Sequence, residues 1–271
     1  MSDYVTTIQD KNNVSKTIKD PNATRPTDFT AQGMKQQGNY TLPLINTSGV
    51  PQGMMSAESM ALLMSDNVKI AVTRKSDAFP LMIDAATWAA SYNNSSYITD
   101  GVVVCDGRST FVIGKQETAK GWAPDSGYAF STGNTYINGT TNRDKAMADF
   151  DGKAEMAKIY ATSGYMGEDY APYWLSQYTT VDGYSSGWSY DNRKAGMWRL
   201  PTLGELTLIY ANKKAINAAM DLIGGTRLQE TWYWSCTEWS EIHAWFLYLI
   251  DGTVYYNNKY IGTRVRPVCA F

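Results

Sequence analysis

Apolar positions are unevenly distributed along this chain, and their spacing changes character from one stretch to the next. Residues 1–65 are rich in Asn, Thr, Gln, Gly and Pro, as in PNATRPTDF and LPLINTSGVPQG, without sustained alternation or helical periodicity. Such a segment buries little by itself. It predicts either a flexible leader or an irregular polar N-terminal arm that orders only on a neighbouring subunit or assembly, with residues 60–64 as a turn or two of helix. From Asn67 to Lys115 compact apolar runs take over, VKIAV, GVVVC and STFVIG, edged by Gly or Asp, and these predict strands. The folded body, residues 66–271, begins here. Between these runs, FPLMIDAATWAASY fits either a strand or a short helix.

Helical spacing appears next. Ala148, Met156, Ile159 and Tyr160 suit one amphipathic helix over residues 144–164, stopped by Gly164. A Tyr-, Gly- and Ser-rich stretch over 165–196 is long for a structureless connection, so it is either functional or folded over the body. In WRLPTLGEL, Thr202 and Glu205 stand at capping-box spacing and start a second helix at Thr202. This helix breaks near Asn212 and resumes through Ile216, Met220 and Ile223 to a stop at Gly224-Gly225.

The last forty residues read WYWSCTEWSEIHAWFLYLIDGTVYYNNKYIGTRVRPVCAF, with Asp251-Gly252 a hairpin turn between two strands. Over Ala244 to Ile250 one alternating set is Trp245, Leu247 and Leu249, the other Phe246, Tyr248 and Ile250. Both faces are therefore apolar. Either the strand is buried on both sides, or one face is an exposed patch that meets a partner.

Composition narrows the classes. Twenty-four basic residues against 26 acidic ones, with no long run of either sign, give nothing to attract nucleic acid or an anionic membrane. Aromatic residues reach 13% with 19 Tyr and 9 Trp, which suits a folded, contact-rich protein. Cys105, Cys236 and Cys269 form no CxxC pair, so no disulfide framework or zinc knuckle is indicated, and they read as reduced thiols. No apolar run approaches the ~20 residues of a spanning helix, and the start has no secretory signal pattern, so membrane insertion and a signal peptide are not expected. His243 is the only histidine, which removes a multi-histidine metal site within one chain.

The order WRLPT, capped helix, YWS, DG turn and closing RVRPV resembles a bacterial and phage branch of the C-type lectin fold, over roughly residues 101–271. The ending RVRPVCAF and the Asn/Tyr-dense stretch before it resemble the variable proteins of diversity-generating retroelements. The resemblance implies an α+β, C-type-lectin-like fold with a mostly antiparallel sheet, two main helices and a variable region at about 232–271. It implies a binding protein and no enzyme, with neither cofactor nor metal. In that family template adenines are randomised, so AAC and AAT codons scatter but never yield Lys, Glu, Gln, Met or Trp. Ile242, His243, Phe246, Tyr248, Ile250, Asp251, Thr253, Tyr255, Tyr256, Asn257, Asn258, Tyr260, Ile261 and Gly262 obey that restriction and are the implied ligand-binding positions. Trp234, Glu238, Trp245 and Lys259 break it and fall where the family has fixed scaffold residues, while Trp239 is left as a fixed contact. Trp234, Trp245, Leu247, Leu249, Val254, Val265 and Val268 are the expected core, with Arg264 and Arg266 as fixed polar contacts.

The resemblance further implies a receptor-binding tip on a phage particle, or a bacterial cell-surface protein. Its ligand would be a protein or glycan receptor on a bacterial surface, its arm would dock to virion structural proteins, and a homotrimer or similar oligomer would add avidity. Two alternatives accompany this reading. A fixed carbohydrate-binding adhesin keeps the fold without the diversification; calcium-dependent sugar sites need oxygen-rich triplets such as Glu-Pro-Asn, which do not occur here. A formylglycine-generating-type oxidase needs paired reactive thiols, and Cys236 has only Cys269 as a companion.

Overall fold

The computed structural model describes residues 67–91, 95–106, 109–123, 139–161, 167–180 and 196–271, together with the backbone of four strands before residue 57. The chain divides into two compact units, Met1–Met60 and Ala61–Phe271. Residues 60–64, expected as a helical turn, lie outside the described residues, as does most of 165–196.

The first unit corrects the expectation of an irregular arm. It contains β1 (Tyr4–Gln9) antiparallel to β2 (Ser15–Asp20), and β3 (Thr41–Ile45) antiparallel to β4 (Pro51–Ser56). The sequence YVTTIQ lacks polar–apolar alternation, yet its β-branched Val5, Thr6, Thr7 and Ile8 favour extended backbone whatever their polarity.

The second unit is mixed α+β with two five-stranded sheets. The central sheet has the order β14-β8-β7-β5-β6, all antiparallel: β5 (Val68–Arg74), β6 (Pro80–Ile83), β7 (Tyr97–Cys105), β8 (Thr110–Gly114) and β14 (Val268–Ala270). The three apolar runs become β5, β7 and β8. FPLMIDAATWAASY divides into both of its readings, strand β6 followed by α1 (Ala85–Ser91). On one face Ile70, Val72, Val102, Val104, Phe111 and Ile113 pack within the core that also holds Leu206, Ile209, Ile216 and Met220. On the other, Ala71, Val103 and Val112 pack with Tyr178, Trp198 and Cys269. Gly101 is required where β7 crosses β8, because a Cβ there would lie 1.9 Å from the Ile113 carbonyl oxygen.

The expected helix over 144–164 is two helices, α2 (Arg143–Met147) and α3 (Gly152–Tyr160). Asp151 caps α3 by accepting from the Ala154 N–H, and Thr202 Oγ1 donates to the Asp149 carbonyl at 2.6 Å. Gly152 sits so close to the Arg199 guanidinium that a Cβ would lie 2.3 Å from it. The break is therefore made by contacts some fifty residues away in sequence, which helical periodicity does not register. Helix α4 (Ala171–Gln177) follows, with Ala171 and Leu175 buried, so this part of the Tyr-rich stretch folds over the body. Helices α5 (Leu203–Ala211) and α6 (Lys213–Leu222) meet the expectation, including the break at Asn212. The capping box is complete: Thr202 Oγ1 accepts from Glu205 N–H at 3.1 Å and Glu205 Oε2 from Thr202 N–H at 2.9 Å. The Arg199 guanidinium also grips both Glu205 oxygens at 2.6 Å, anchoring α5 to the WRLPT segment.

The C-terminal sheet has the order β12-β11-β10-β13-β9: β9 (Thr118–Lys120), β10 (Trp232–Glu238), β11 (His243–Tyr248), β12 (Val254–Asn258) and β13 (Thr263–Val265). Its pairs are antiparallel except β10 with β13. Only Arg266 and Pro267 separate β13 from β14, so eight consecutive residues add a strand to each sheet. Among the described residues no helix is long and apolar enough to cross a membrane.

Candidate functional site

The β11–β12 hairpin carries most of the positions singled out by sequence. Its turn forms at Asp251-Gly252: Gly252 takes φ +80° and donates to the Tyr248 carbonyl, and Asp251 Oδ1 accepts from Thr253 N–H at 2.9 Å. A Cβ at Gly252 would meet the Tyr210 ring at 2.6 Å, so the turn is both conformationally and sterically reserved for glycine. Those hydrogen bonds from Thr253 also hold the exposed Asp251 carboxyl below its ordinary range.

Cross-strand register fixes which side chains share a face. Phe246 lies opposite Tyr255 and Trp234, and Tyr248 opposite Trp232. Trp245 lies opposite Tyr256, and His243 opposite Asn258. The seven expected core residues, Trp234, Trp245, Leu247, Leu249, Val254, Val265 and Val268, are all buried. So is Phe246, at 5% exposure, which corrects its assignment to the display surface. Its ring stacks on Trp232 at 4.1 Å and Trp234 at 5.2 Å, in a cluster with Trp122, Met156 and Ile159. The strand is thus apolar on both faces because both are covered. Trp232 continues this row to Tyr248 at 4.8 Å, where both rings become half-buried.

The remaining positions reach the surface to different degrees. Ile242, Ile250, Asp251, Thr253, Tyr255, Tyr260 and Gly262 are exposed, while His243, Tyr248, Tyr256, Asn257, Asn258 and Ile261 are half-buried. They do not form the single aromatic face anticipated. Ile250, Asp251 and Thr253 sit at the hairpin turn, whereas Ile242, His243 and Tyr260 to Gly262 sit at the opposite end of two strands about 17 Å long. Between them Tyr255 and Tyr256 leave opposite faces of the outermost strand, yet their rings stack at 4.8 Å, which brings both to the sheet edge. Trp239 extends the stack, 4.0 Å from Tyr256, and His243 meets both rings edge-on. Burial, and then the Lys259 charge, lower the His243 pKa, and its Nδ1 is hydrogen-bonded to the Ser240 hydroxyl at 3.0 Å.

Sequence reasoning missed Trp232 as the partner of Tyr248 and undervalued Trp239. Both were legible in part, since Trp232 stands two residues before Trp234 and so shares its face.

Beneath this surface lie buried charges. Arg266 donates to Glu117 Oε2 at 2.6 Å, and the Tyr233 hydroxyl donates to the same oxygen at 2.6 Å. Arg264 is looser, 3.7 Å from Glu117. Cys236 is wholly buried, its thiol donating to Glu155 Oε2 at 2.9 Å. Burial foremost, with the Glu155 carboxyl beside it, pushes the thiol up, and burial raises Glu155 itself to about 8 despite that hydrogen bond. A sealed, protonated thiol is a poor nucleophile. Cys105, Cys236 and Cys269 are in no disulfide. Among the described residues no group of three or more His, Cys, Asp or Glu could hold a metal ion.

No protein-family model matches the chain, and no curated protein matches it. Among solved structures, a fimbrial protein from Bacteroides ovatus ATCC 8483 is similar, with 15% sequence identity, a TM-score of 0.41, and coverage of 69% of this chain and 38% of that one. The chain thus spans well under half the length of that fimbrial protein.

Proposed function

We propose that this chain is a ligand-binding protein of C-type-lectin-like architecture whose C-terminal segment presents exchangeable side chains to a protein or glycan receptor on a bacterial surface. It resembles the variable proteins of diversity-generating retroelements. In this reading it acts at a phage tail tip, attached to virion proteins through residues 1–65, and performs no catalysis.

One observation carries the reading: where large apolar side chains are exposed. Among the described residues eight are exposed, and four of them, Ile242, Ile250, Tyr255 and Tyr260, fall within nineteen consecutive residues. Tyr255 stands on β12 and the other three just beyond the ends of β11 and β12, in a sheet whose inward positions are filled by Trp234, Trp245, Phe246 and Leu247. Outward aromatic and aliphatic groups on a rigid frame bind by shape and apolar contact, and a few such anchors dominate affinity. The buried Cys236 thiol speaks against the oxidase reading.

The test lies in the DNA beside the coding sequence. The reading expects a near-copy of the segment for residues 232–271 that differs only at adenines, and sibling isolates that vary at the thirteen positions that remain once Phe246 is set aside. An isolated segment with no copy, invariant among siblings, overturns diversification and leaves a fixed adhesin. That second reading is favoured by Tyr255, whose ring, 55% exposed at the end of a three-ring stack, suits stacking on a sugar. In the protein, Tyr255→Ala with Tyr260→Ala is expected to cost no more than about 1 kcal/mol in urea denaturation, the share of the single Tyr255–Tyr256 stack. A larger loss means these rings belong to the core.

A further inference from the structure

Lys259 is embedded in the candidate surface, between Asn258 and Tyr260, yet its side chain is 0% exposed. Its ammonium forms an ion pair with Glu238, whose side chain is also 0% exposed, at the end of β10. A second proton goes to the Glu241 carbonyl at 2.7 Å, and the charge sits 4.6 Å from the centre of the Trp122 ring. Its main chain is used as fully. The Lys259 N–H donates to the Ile242 carbonyl at 3.0 Å, and its carbonyl accepts from Trp122 N–H at 2.6 Å and Ala123 N–H at 3.1 Å. Glu238 in turn accepts from Thr140 N–H through its carbonyl, and Trp122 Nε1 donates to Ser235 O at 2.8 Å. One residue therefore joins the β10–β11 turn, the β12–β13 connection and the segment after β9.

A buried ion pair is a poor way to gain stability, because desolvation of both charges offsets their attraction and an apolar pair of similar volume commonly serves as well. What it supplies is direction. Two of the ammonium's three donors have set acceptors and the charge faces the Trp122 ring, so the backbone around it is held to one arrangement.

We propose that Lys259, with Glu238, is the positioning residue of the binding surface, a buried clamp that holds the backbone of residues 238–243, 259–262 and 121–123 in place while the outward side chains at 242, 243 and 260–262 are exchanged. This inference rests on the ligand-binding reading of that surface. It makes the surface's shape independent of the identity of its exposed residues. A chain without the clamp keeps its core but presents loops that rearrange with each substitution.

Hydrogen exchange on the full chain tests it without a ligand. In the native protein the amides of Trp122, Ala123 and Lys259 are expected to exchange as slowly as those of the central sheet, although they lie in connections where exchange is ordinarily fast. In the apolar replacement Lys259→Met with Glu238→Leu, the unfolding midpoint is expected to hold while those three amides exchange at least about tenfold faster and β5, β7 and β8 are unchanged. Fast exchange of these amides in the native protein overturns the proposal. So does a double variant that exchanges like the native chain, or one that loosens everywhere or fails to fold, since the pair is then inert or serves stability alone. Diversification is tested separately by the DNA, so the clamp stands or falls independently of it.

Discussion

The two five-stranded sheets are built from strands of similar length and are filled by different chemistry. The central sheet is packed with Ile70, Val72, Val102, Val104 and Ile113, side chains that gain from burial in any orientation that fits. In the C-terminal sheet the buried positions go to Trp234, Trp245, Phe246 and Tyr233, with Lys259–Glu238 and Arg266–Glu117 as ion pairs among them. Stacked rings and charge-assisted hydrogen bonds act at set distances and angles. One sheet supplies cohesion, and the other spends part of its interior on holding its edges in place. The surface proposed for binding lies on the second.

Three experiments press on this contrast, from the largest effect to the smallest. Ile70→Ala in the fully buried heart of the central sheet is expected to destabilise by about 2–5 kcal/mol in urea denaturation, with the aromatic rows still intact by near-ultraviolet circular dichroism. Loss of both signals together would show that the sheets are not separable in this way.

The acid–base behaviour of Glu155 comes next. The folded chain keeps its proton up to about 8, against an ordinary value of 4.5, chiefly through burial, with Asp149 and Glu238 adding like charge. The unfolded chain releases that proton earlier. Folding is therefore favoured most below about 4.5 and loses stability as the pH rises toward 8, by on the order of 4 kcal/mol for this group. Glu155→Gln is expected to flatten that part of the profile and to be more stable than the native chain at pH 9. An unchanged profile would show that the carboxyl is ionised within the fold.

The smallest effect is that of Tyr248→Ala with Tyr256→Ala. From sequence these rings stand on an exposed face, where removal has little consequence for stability. Their stacking on Trp232 and Trp239 changes the expectation to a loss of about 1–2 kcal/mol, read from the thermal midpoint. No loss would show that the stacks form without contributing.

What could be read from the sequence was local. The capping box at Thr202 and Glu205, the Asp251-Gly252 turn and the apolar runs of β5, β7 and β8 are determined by residues within one turn or strand of each other. What escaped depends on distant partners. The break between α2 and α3 follows from Arg199 and Thr202, and the pairing of β9 with β13 joins Thr118 to Val265. Phe246 illustrates the limit best. Its strand is apolar on both faces, and Trp122, with Met156 and Ile159 of α3, helps to close the face that could have been open. The β1–β2 hairpin escaped for the opposite reason, since β-branched residues such as Val5, Thr6, Thr7 and Ile8 form a strand without the alternation that betrays one.

The junction of β13 and β14 has a mechanical consequence. Thr263–Val265 lies beside β10, and two residues later Val268–Ala270 lies beside β8. Arg266 between them reaches the Gly114 carbonyl at 3.1 Å and the Thr226 carbonyl at 3.0 Å. A tensile load on the C-terminal sheet would therefore reach the central one along a short covalent strap as well as through the side chains that the two share. A protein that has to grip while its partner moves would be torn first at its weakest seam, and here that seam is crossed by the backbone itself.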